Sequence, residues 1–238
     1  MTNIASMYLS EFLGTMFLVF LGDSVVANVV LKDTKGHGSG WSVIALGWMV
    51  AVMVPVMMFG WIGGAHFNPA VTLGLAISGS FEWPMVPGYI AVQMAGGFVG
   101  GILTFIMYRP HFDATTDQNA KLAVFCTGPA IRSTKDNCIS EFLATFTLVF
   151  AIIGGLVAAP VDVGPIGIAG IILALGTALG GTTGYALNPA RDLSPRIAYA
   201  ILPIKDKRDP DWSYSWIPTI MPLIAGVAAG LLGFVVFF

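Results

Sequence analysis

Long stretches of the chain carry no acidic or basic side chain. Asp, Glu, Lys and Arg are missing from residues 36–81, 83–108, 142–161, 163–190 and 212–238. A helix needs roughly 20 apolar residues to cross a bilayer, and each stretch is long enough. The pattern therefore predicts an integral membrane protein with several transmembrane helices.

Apolar segments separated by polar connections predict six spans. Their limits are about 6–30, 41–60, 86–108, 139–159, 166–180 and 214–236. We interpret the first as a retained helix and not a secretory signal, because no basic residue precedes Lys32 and Glu11 interrupts the apolar run.

Two half-length apolar segments remain, and each begins with Asn-Pro-Ala. The motifs start at Asn68 and Asn188. Asparagine is a good helix N-cap and proline suits the first helical turn, so each motif predicts a short helix. Irregular backbone at membrane depth persists only inside protein or along a water-filled cavity. We expect both motifs to lie where backbone meets water within the bilayer.

The chain also repeats itself. SEFLGTMFLVF at 10–20 is similar to SEFLATFTLVF at 140–150, and HFNPAVTLGL at 66–75 is similar to ALNPARDLSP at 186–195. Three full spans separate the starts of the two copies, so the second copy must insert upside down. The predicted fold is an all-α membrane protein with six transmembrane helices and two re-entrant half-helices in an inverted repeat.

Composition narrows the function further. Charged residues make up 10% of the 238 residues, against about 25% in soluble domains. The formal net charge is -2 and no dense basic patch exists, which argues against nucleic-acid binding. The two cysteines, Cys126 and Cys138, could pair, but two free thiols are favoured because a bundle of this size needs no disulfide.

Glycines spaced four apart predict close helix packing, because small residues let backbones approach each other in lipid. These pairs are Gly96/Gly100 and Gly97/Gly101 in the third span, and Gly226/Gly230 in the sixth.

Two short helices that meet at their N-termini would each present about half a positive charge and unpaired N–H groups. The amides of Asn68 and Asn188 would turn the oxygen of a passing water molecule toward both side chains. That orientation breaks the hydrogen-bond chain a proton needs, and the field repels cations. Such a path suits small neutral solutes with hydroxyl groups. Backbone carbonyls that would line it belong to Gly63, Gly64, Ala65, His66, Thr182, Thr183 and Gly184.

GGAHFNPAVT around the first motif, NPARD at 188–192 and the Glu-Phe-Leu-Gly/Ala-Thr starts of two spans resemble the major intrinsic protein family, the aquaporins and glycerol facilitators. The resemblance covers nearly the whole chain. It implies a single channel domain, 1–238, with repeat halves of about 1–110 and 136–238. It also implies a homotetramer with one pore per subunit, in a bacterial plasma membrane, with no cofactor or bound metal.

The resemblance further implies where solutes are selected. The family filter takes one residue from the second span, one from the fifth and two from the second motif loop. The matching positions are Trp48, Gly176, Tyr185 and Arg191. An aromatic residue at the first position and glycine at the second resemble the filter residues of glycerol-conducting members.

Three further residues also resemble those of glycerol-conducting members: Asp192, Arg196 and Pro218. Tyr185 stands where glycerol facilitators often have Phe, and this resembles the branch from Gram-positive bacteria. Glycerol is therefore the expected solute. The alternative is a preference for water, dihydroxyacetone, hydrogen peroxide or undissociated lactic acid.

Arg191 can also be interpreted without the family. It is the first charged residue after a run that is uncharged back to residue 163. A charge within the membrane costs at least ~2.5–3.5 kcal/mol on insertion scales, so it should face a pore or a partner. Its planar fork of donors can hold two hydroxyls of one solute. Trp48 and Tyr185 would form an apolar corner for the solute's carbon edge.

Glu11 and Glu141 occupy equal places in the two repeats. They could couple protons to transport in an inverted-repeat transporter. We favour a structural role, in which each carboxylate accepts N–H bonds from a re-entrant loop. Asp192 and Arg196, one helical turn apart, are expected to pair with each other. An intramembrane enzyme is disfavoured because no Ser/His pair, HExxH motif or metal cluster lies in a span.

The resemblance and the distribution of basic residues predict opposite orientations of the chain in the membrane. The resemblance places both termini in the cytoplasm, whereas the positive-inside rule predicts the opposite. On the family's orientation, the cytoplasmic connections carry mainly Glu82 and Asp162. We expect the family's orientation. The basic residues that it places outside are Lys32, Lys35, Arg109, Lys121, Arg132, Lys135, Lys205, Lys207 and Arg208.

Overall fold

A computed structural model describes residues 3–160 and 163–238, so that Asp162 lies outside the described part. Its regular elements are all helical. The α-helices are α1 (Ile4–Val30), α2 (Trp41–Gly63), α3 (Pro69–Ile77), α4 (Val86–Ala114), α5 (Gln118–Ala123), α6 (Thr134–Ile152), α7 (Gly164–Ala178), α8 (Pro189–Ile201) and α9 (Trp212–Phe237). A 3-10 turn, Trp83–Met85, leads into α4, and a π-helical turn, Ile153–Val157, extends α6.

Five helices in the described residues are long and apolar enough to cross a membrane: α1, α2, α4, α6 and α9, counting the turns that extend α4 and α6. The chain is therefore a multi-pass membrane protein. The predicted span at 166–180 forms α7, which is apolar but has only 15 residues. At 1.5 Å per residue such a helix measures about 22 Å, less than the ~30 Å hydrocarbon core of a bilayer.

The short helices that follow the two Asn-Pro-Ala motifs cross between the halves of the chain. α1 packs against α2 and α4, and α6 packs against α9 and α7. α3 packs mainly against α9, whereas α8 packs mainly against α4. Each short helix is thus held by the last long helix of the other half.

Glycines on α4 allow two close helix contacts. A methyl group at Gly96 would lie 2.3 Å from the Phe12 carbonyl oxygen on α1. One at Gly97 would lie 2.2 Å from the carbonyl oxygen of Ala190 on α8. On α9, a methyl group at Gly226 would lie 2.4 Å from the carbonyl oxygen of residue 70 on α3. The predicted close packing at these glycines is confirmed.

Hydrogen bonds join three polar connections, 31–40, 115–133 and 202–211. The three connections therefore lie at the same face of the bundle. Three of the basic side chains counted by the charge rule, those of Lys121, Arg132 and Arg208, take part in these bonds. The bonded pairs are Lys32 N–H to Thr115 Oγ1 (2.9 Å), Lys121 Nζ to Lys205 O (2.6 Å), Arg132 to Asp211 (2.7 Å) and Arg208 to Asn119. Cys126 and Cys138 are free thiols, and Cys126 is buried.

Candidate functional site

Two loops with the same backbone conformation precede α3 and α8. The φ angles of Gly64, Ala65 and Phe67 are 87°, 53° and 47°. Residues 184, 185 and 187 repeat this pattern with 80°, 38° and 58°. A left-handed conformation costs a non-glycine residue about 1–2 kcal/mol. Both loops therefore need support from outside.

That support comes from two buried carboxylates. Glu11 on α1 accepts the backbone N–H groups of residues 66 and 67, at 2.8 and 2.7 Å. Glu141 on α6 accepts those of residues 186 and 187, at 3.0 and 3.2 Å, and the hydroxyl of Thr183 at 2.6 Å. Both side chains are fully buried. The predicted structural role of Glu11 and Glu141 is confirmed.

Asn68 and Asn188 tie the two loops together. Each is the N-cap of its helix, and its side-chain oxygen accepts the backbone N–H two residues on, at 2.9 Å in both cases. The Asn68 amide donates to the Leu187 carbonyl at 2.9 Å, and the Asn188 amide donates to the Phe67 carbonyl at 2.8 Å. The N-termini of α3 and α8 therefore meet, and their positive ends share one region.

A cavity of about 70 Å³ lies beside this meeting point. Asn68, Asn188, His66 and Arg191 provide polar groups along its wall, and Ala65 also borders it. The rest of the wall is mostly aliphatic, with contributions from Leu18, Val52, Val56, Val71, Leu148, Ile152, Ile168 and Ile172. A solute there meets hydrogen-bonding groups on one part of the wall and carbon on the rest.

A second cavity, of about 250 Å³, adjoins the first. Trp48, Tyr185 and Arg191 line both cavities and therefore stand at their boundary. Gly184 and Thr127 line only the second cavity.

The Arg191 guanidinium group lies over an indole ring. Its Cζ atom lies 3.8 Å from the centroid of the Trp48 ring, a distance typical of a cation–π contact. Nη1 lies 3.6 Å from Oδ1 of Asp23, and 9% of the Arg191 side chain is exposed. Arg191 thus has both an ionic partner and a face toward the cavities.

Gly176 lies behind Tyr185 and lines neither cavity. A methyl group at Gly176 would lie 2.8 Å from the Tyr185 hydroxyl oxygen. The Gly176 carbonyl accepts the Trp41 indole N–H at 2.9 Å, and the rings of Trp41 and Tyr185 meet edge to face. Gly176 therefore makes room for the tyrosine ring.

The remaining sequence-predicted positions have different surroundings. Gly64 is the C-cap of α2 and lines neither cavity. Thr183, whose hydroxyl donates to Glu141, also lines neither cavity. Nδ1 of His66 lies 3.1 Å from the Thr72 hydroxyl, and the imidazole packs edge-on against Phe81. The Gly63 carbonyl accepts the Tyr89 hydroxyl, and the Thr182 carbonyl accepts the N–H of Ala130.

The predicted pair between Asp192 and Arg196 is confirmed, with N and O atoms 2.8 Å apart and both side chains fully buried. Asp192 also accepts the N–H and hydroxyl of Thr127, at 2.7 and 2.5 Å. Arg196 donates to the Thr127 carbonyl at 2.9 Å. The pair thus anchors the connection that borders the second cavity. Across residues 3–160 and 163–238, no cluster of three or more His, Cys, Asp or Glu side chains could hold a metal ion.

Asp23 is a residue of this site that the sequence did not predict. It lies within the first predicted span and is fully buried, which by itself marks a candidate functional residue in a membrane protein. Its partner, Arg191, is distant in sequence, so spacing gave no indication of the pair.

Comparison with known proteins agrees with this geometry. Residues 2–233 match the family model described as "Major intrinsic protein". The chain is 54% identical to the probable glycerol uptake facilitator protein of Thermotoga maritima over 228 residues, which cover 95% of this chain and 97% of that protein. It is 50% identical to the glycerol uptake facilitator protein of Streptococcus pneumoniae, with the same coverage.

Among solved structures, the aquaglyceroporin from Plasmodium falciparum superposes with a TM-score of 0.83 and 30% identity. The match covers 96% of this chain and 94% of that one. The resemblance seen in the Asn-Pro-Ala motifs is confirmed over nearly the full length, and the chain belongs to the major intrinsic protein family.

Proposed function

We propose that this protein is a passive channel, not an enzyme, through which glycerol, other small uncharged solutes and water diffuse across a bacterial plasma membrane. The observation that carries the proposal is the group Trp48, Tyr185 and Arg191 at the boundary of two cavities, one of which continues to both asparagines. The names of the relatives from Thermotoga and Streptococcus support glycerol as the solute.

The architecture that we propose has six transmembrane helices, with α7 as the fifth, and two re-entrant half-helices, α3 and α8. The halves, about 1–110 and 136–238, form an inverted repeat. Three features support this arrangement: the repeated φ pattern of the two loops, the matched carboxylates of Glu11 and Glu141, and the reciprocal asparagine bonds.

The boundary group suits a polyol. Within the described residues, the Arg191 side chain has an ion pair but no hydrogen-bond acceptor from the protein, so its donors toward the cavity can bind hydroxyl groups. The Tyr185 hydroxyl is buried near Gly176. The tyrosine ring therefore presents carbon to the path, as phenylalanine would, and with Trp48 it contacts the carbon edge of glycerol.

The meeting point of α3 and α8 explains how the channel would exclude protons and ions. Each asparagine amide uses one N–H on the opposite loop and keeps a second for a solute oxygen. A water molecule that accepts from both amides cannot donate along the path in the direction that proton transfer needs. Ions also meet an aliphatic wall that cannot replace their hydration shell.

Stopped-flow light scattering on proteoliposomes tests this proposal. Vesicles with the protein and protein-free vesicles are challenged separately with glycerol, dihydroxyacetone, lactic acid below its pKa and an impermeant osmolyte for water. We expect the protein to increase glycerol flux without saturation and without a pH gradient. Saturable uptake driven by a pH gradient would instead indicate a proton-coupled transporter. Faster uptake of another solute would support the alternative specificity.

Two further properties are proposals with their own tests. We infer a homotetramer, which native mass spectrometry of the detergent-solubilised protein measures directly. We also infer that both termini face the cytoplasm. The test is a reporter enzyme that works only on the outer side of the membrane, fused after Phe238. Activity of this fusion would show the opposite orientation.

A further inference from the structure

Asp23 is an acidic side chain within α1, one of the membrane-spanning helices. It is completely buried inside the protein, with 0% of its surface accessible. Neither carboxylate oxygen has a hydrogen-bond partner among the described residues. Its ionic contact is Nη1 of Arg191, 3.6 Å from Oδ1, and that nitrogen also has no hydrogen-bond acceptor there.

The residue before it shapes the same site. A methyl group at Gly22 would lie 2.2 Å from the Trp48 ring, so the indole rests directly on α1. The Arg191 guanidinium also lies over this ring. Two consecutive residues of α1 therefore contact two of the three side chains at the boundary between the cavities.

The internal repeat provides a comparison within the chain. The offset of 130 that aligns Glu11 with Glu141 aligns Asp23 with Ile153, and the offset of 120 between the motifs aligns Arg191 with Val71. Ile153 and Val71 belong to one buried apolar cluster. The charged pair thus takes one residue from each copy, and the two positions related to it by the repeat, Ile153 and Val71, are both apolar.

A buried cation without a counter-charge is costly, and it raises the local concentration of anions. We propose that Asp23 is a specificity-determining positioning residue. It holds the Arg191 guanidinium over the Trp48 ring and cancels its charge. The boundary can then donate hydrogen bonds to uncharged solutes without attracting anions. This inference rests on the proposed channel function and adds a residue that touches no solute.

The proposal predicts charge effects of opposite sign. Asp23→Asn keeps the side-chain shape but leaves Arg191 uncompensated, so small anions should enter. Arg191→Val leaves the carboxylate uncompensated, so small cations should enter. In the double variant the site is neutral again and neither ion should pass. A role of Asp23 in packing alone would give no dependence on the sign of the ion.

The experiment measures glycerol flux and nitrate flux in proteoliposomes, and the reversal potential of planar bilayers under a potassium nitrate gradient. We expect Asp23→Asn to lower the glycerol-to-nitrate flux ratio roughly tenfold or more, because an uncompensated charge a few ångströms from the path outweighs thermal energy. Its reversal potential should indicate nitrate selectivity, and that of Arg191→Val potassium selectivity. Ser24→Ala, the matched control, changes the next residue of α1 and should behave like the wild type.

The outcomes are distinguishable. If the wild type conducts no glycerol, the proposed function is wrong. If the wild type conducts glycerol but Asp23→Asn gives the wild-type ratio and potential, the inference about Asp23 is wrong. If Asp23→Asn does not fold, the double variant should restore a folded protein because it removes both charges. A double variant that folds no better would also overturn the inference.

Discussion

Replacing Gly176 with alanine should slow glycerol more than water. The added methyl group would lie 2.8 Å from the Tyr185 hydroxyl oxygen and 3.0 Å from its Cζ atom. Comfortable contacts begin at about 3.5 Å, so the tip of the ring must move by about 0.7 Å. Tyr185 stands between Gly176 and the cavities, and this shift narrows the boundary that it forms with Trp48 and Arg191.

The size of the effect follows from the cost of overpacking. Inserting a methylene-sized group into a packed site costs about 1–3 kcal/mol. If the passing glycerol must supply this energy to push the ring back, its flux falls roughly 5- to 150-fold, at tenfold per 1.36 kcal/mol. Water is smaller and needs less of the opening, so its flux should fall less.

The assay is stopped-flow light scattering on proteoliposomes, with the glycerol-to-water permeability ratio as the readout. Gly170→Ala is the matched control, because the same substitution on α7 there meets open space. Tyr185→Phe removes the nearest atom, so adding it to Gly176→Ala should restore part of the ratio. The reasoning is refuted if Gly176→Ala keeps the ratio of Gly170→Ala, or if the added Tyr185→Phe has no effect.

Three more predictions concern stability and assembly. Glu141→Gln should lower the melting temperature in detergent and reduce glycerol and water flux together. The amide has one acceptor oxygen and cannot accept both loop N–H groups, and each of these bonds to a charged acceptor is worth about 1.5–3 kcal/mol. An unchanged melting temperature would contradict this prediction. Gly226→Val should prevent α3 from seating on α9, so little folded protein should be recovered by size-exclusion chromatography, and a normal yield would argue against the close contact. The hydrogen bond from Arg132 lowers the pKa of the Asp211 carboxyl below its ordinary 3.8, so this pair stabilises the protein above that pH and the contribution is lost as the pH falls through the lowered pKa. Melting temperatures measured from pH 7 to pH 3 should therefore fall less steeply for Arg132→Ala than for the wild type, and parallel curves would count against the pair.

The sequence predicted the elements whose signals are local. Charge-free runs identified the helices after α1 that can cross a bilayer, and a long apolar segment identified α1. Both signals are local because each residue placed in lipid has its own transfer cost. The Asn-Pro-Ala motifs identified the starts of α3 and α8, because N-capping depends on two or three neighbouring residues. The repeat identified Glu11 and Glu141 as equivalent before their bonds to the loops were known.

Features that depend on distant contacts could not be predicted. The predicted third span ends at 108, whereas α4 continues through Pro110 to Ala114, and α5 was not predicted at all. Both lie at the polar face, where contacts between connections decide the structure. Gly176 was predicted to belong to the filter, but its place behind Tyr185 depends on the packing of α7.

The reciprocal bonds between the asparagine amides and the opposite loops have a consequence for biosynthesis. The carbonyl that receives the Asn68 amide belongs to Leu187, which the ribosome adds more than a hundred residues later. The first loop therefore enters the membrane with the Asn68 amide unpaired, and it depends on contacts within the first half, including those to Glu11, until the second loop has been translated and inserted. The passage through the molecule is completed only after the second loop has been inserted, so a nascent chain interrupted before that point cannot leave an open pore in the membrane.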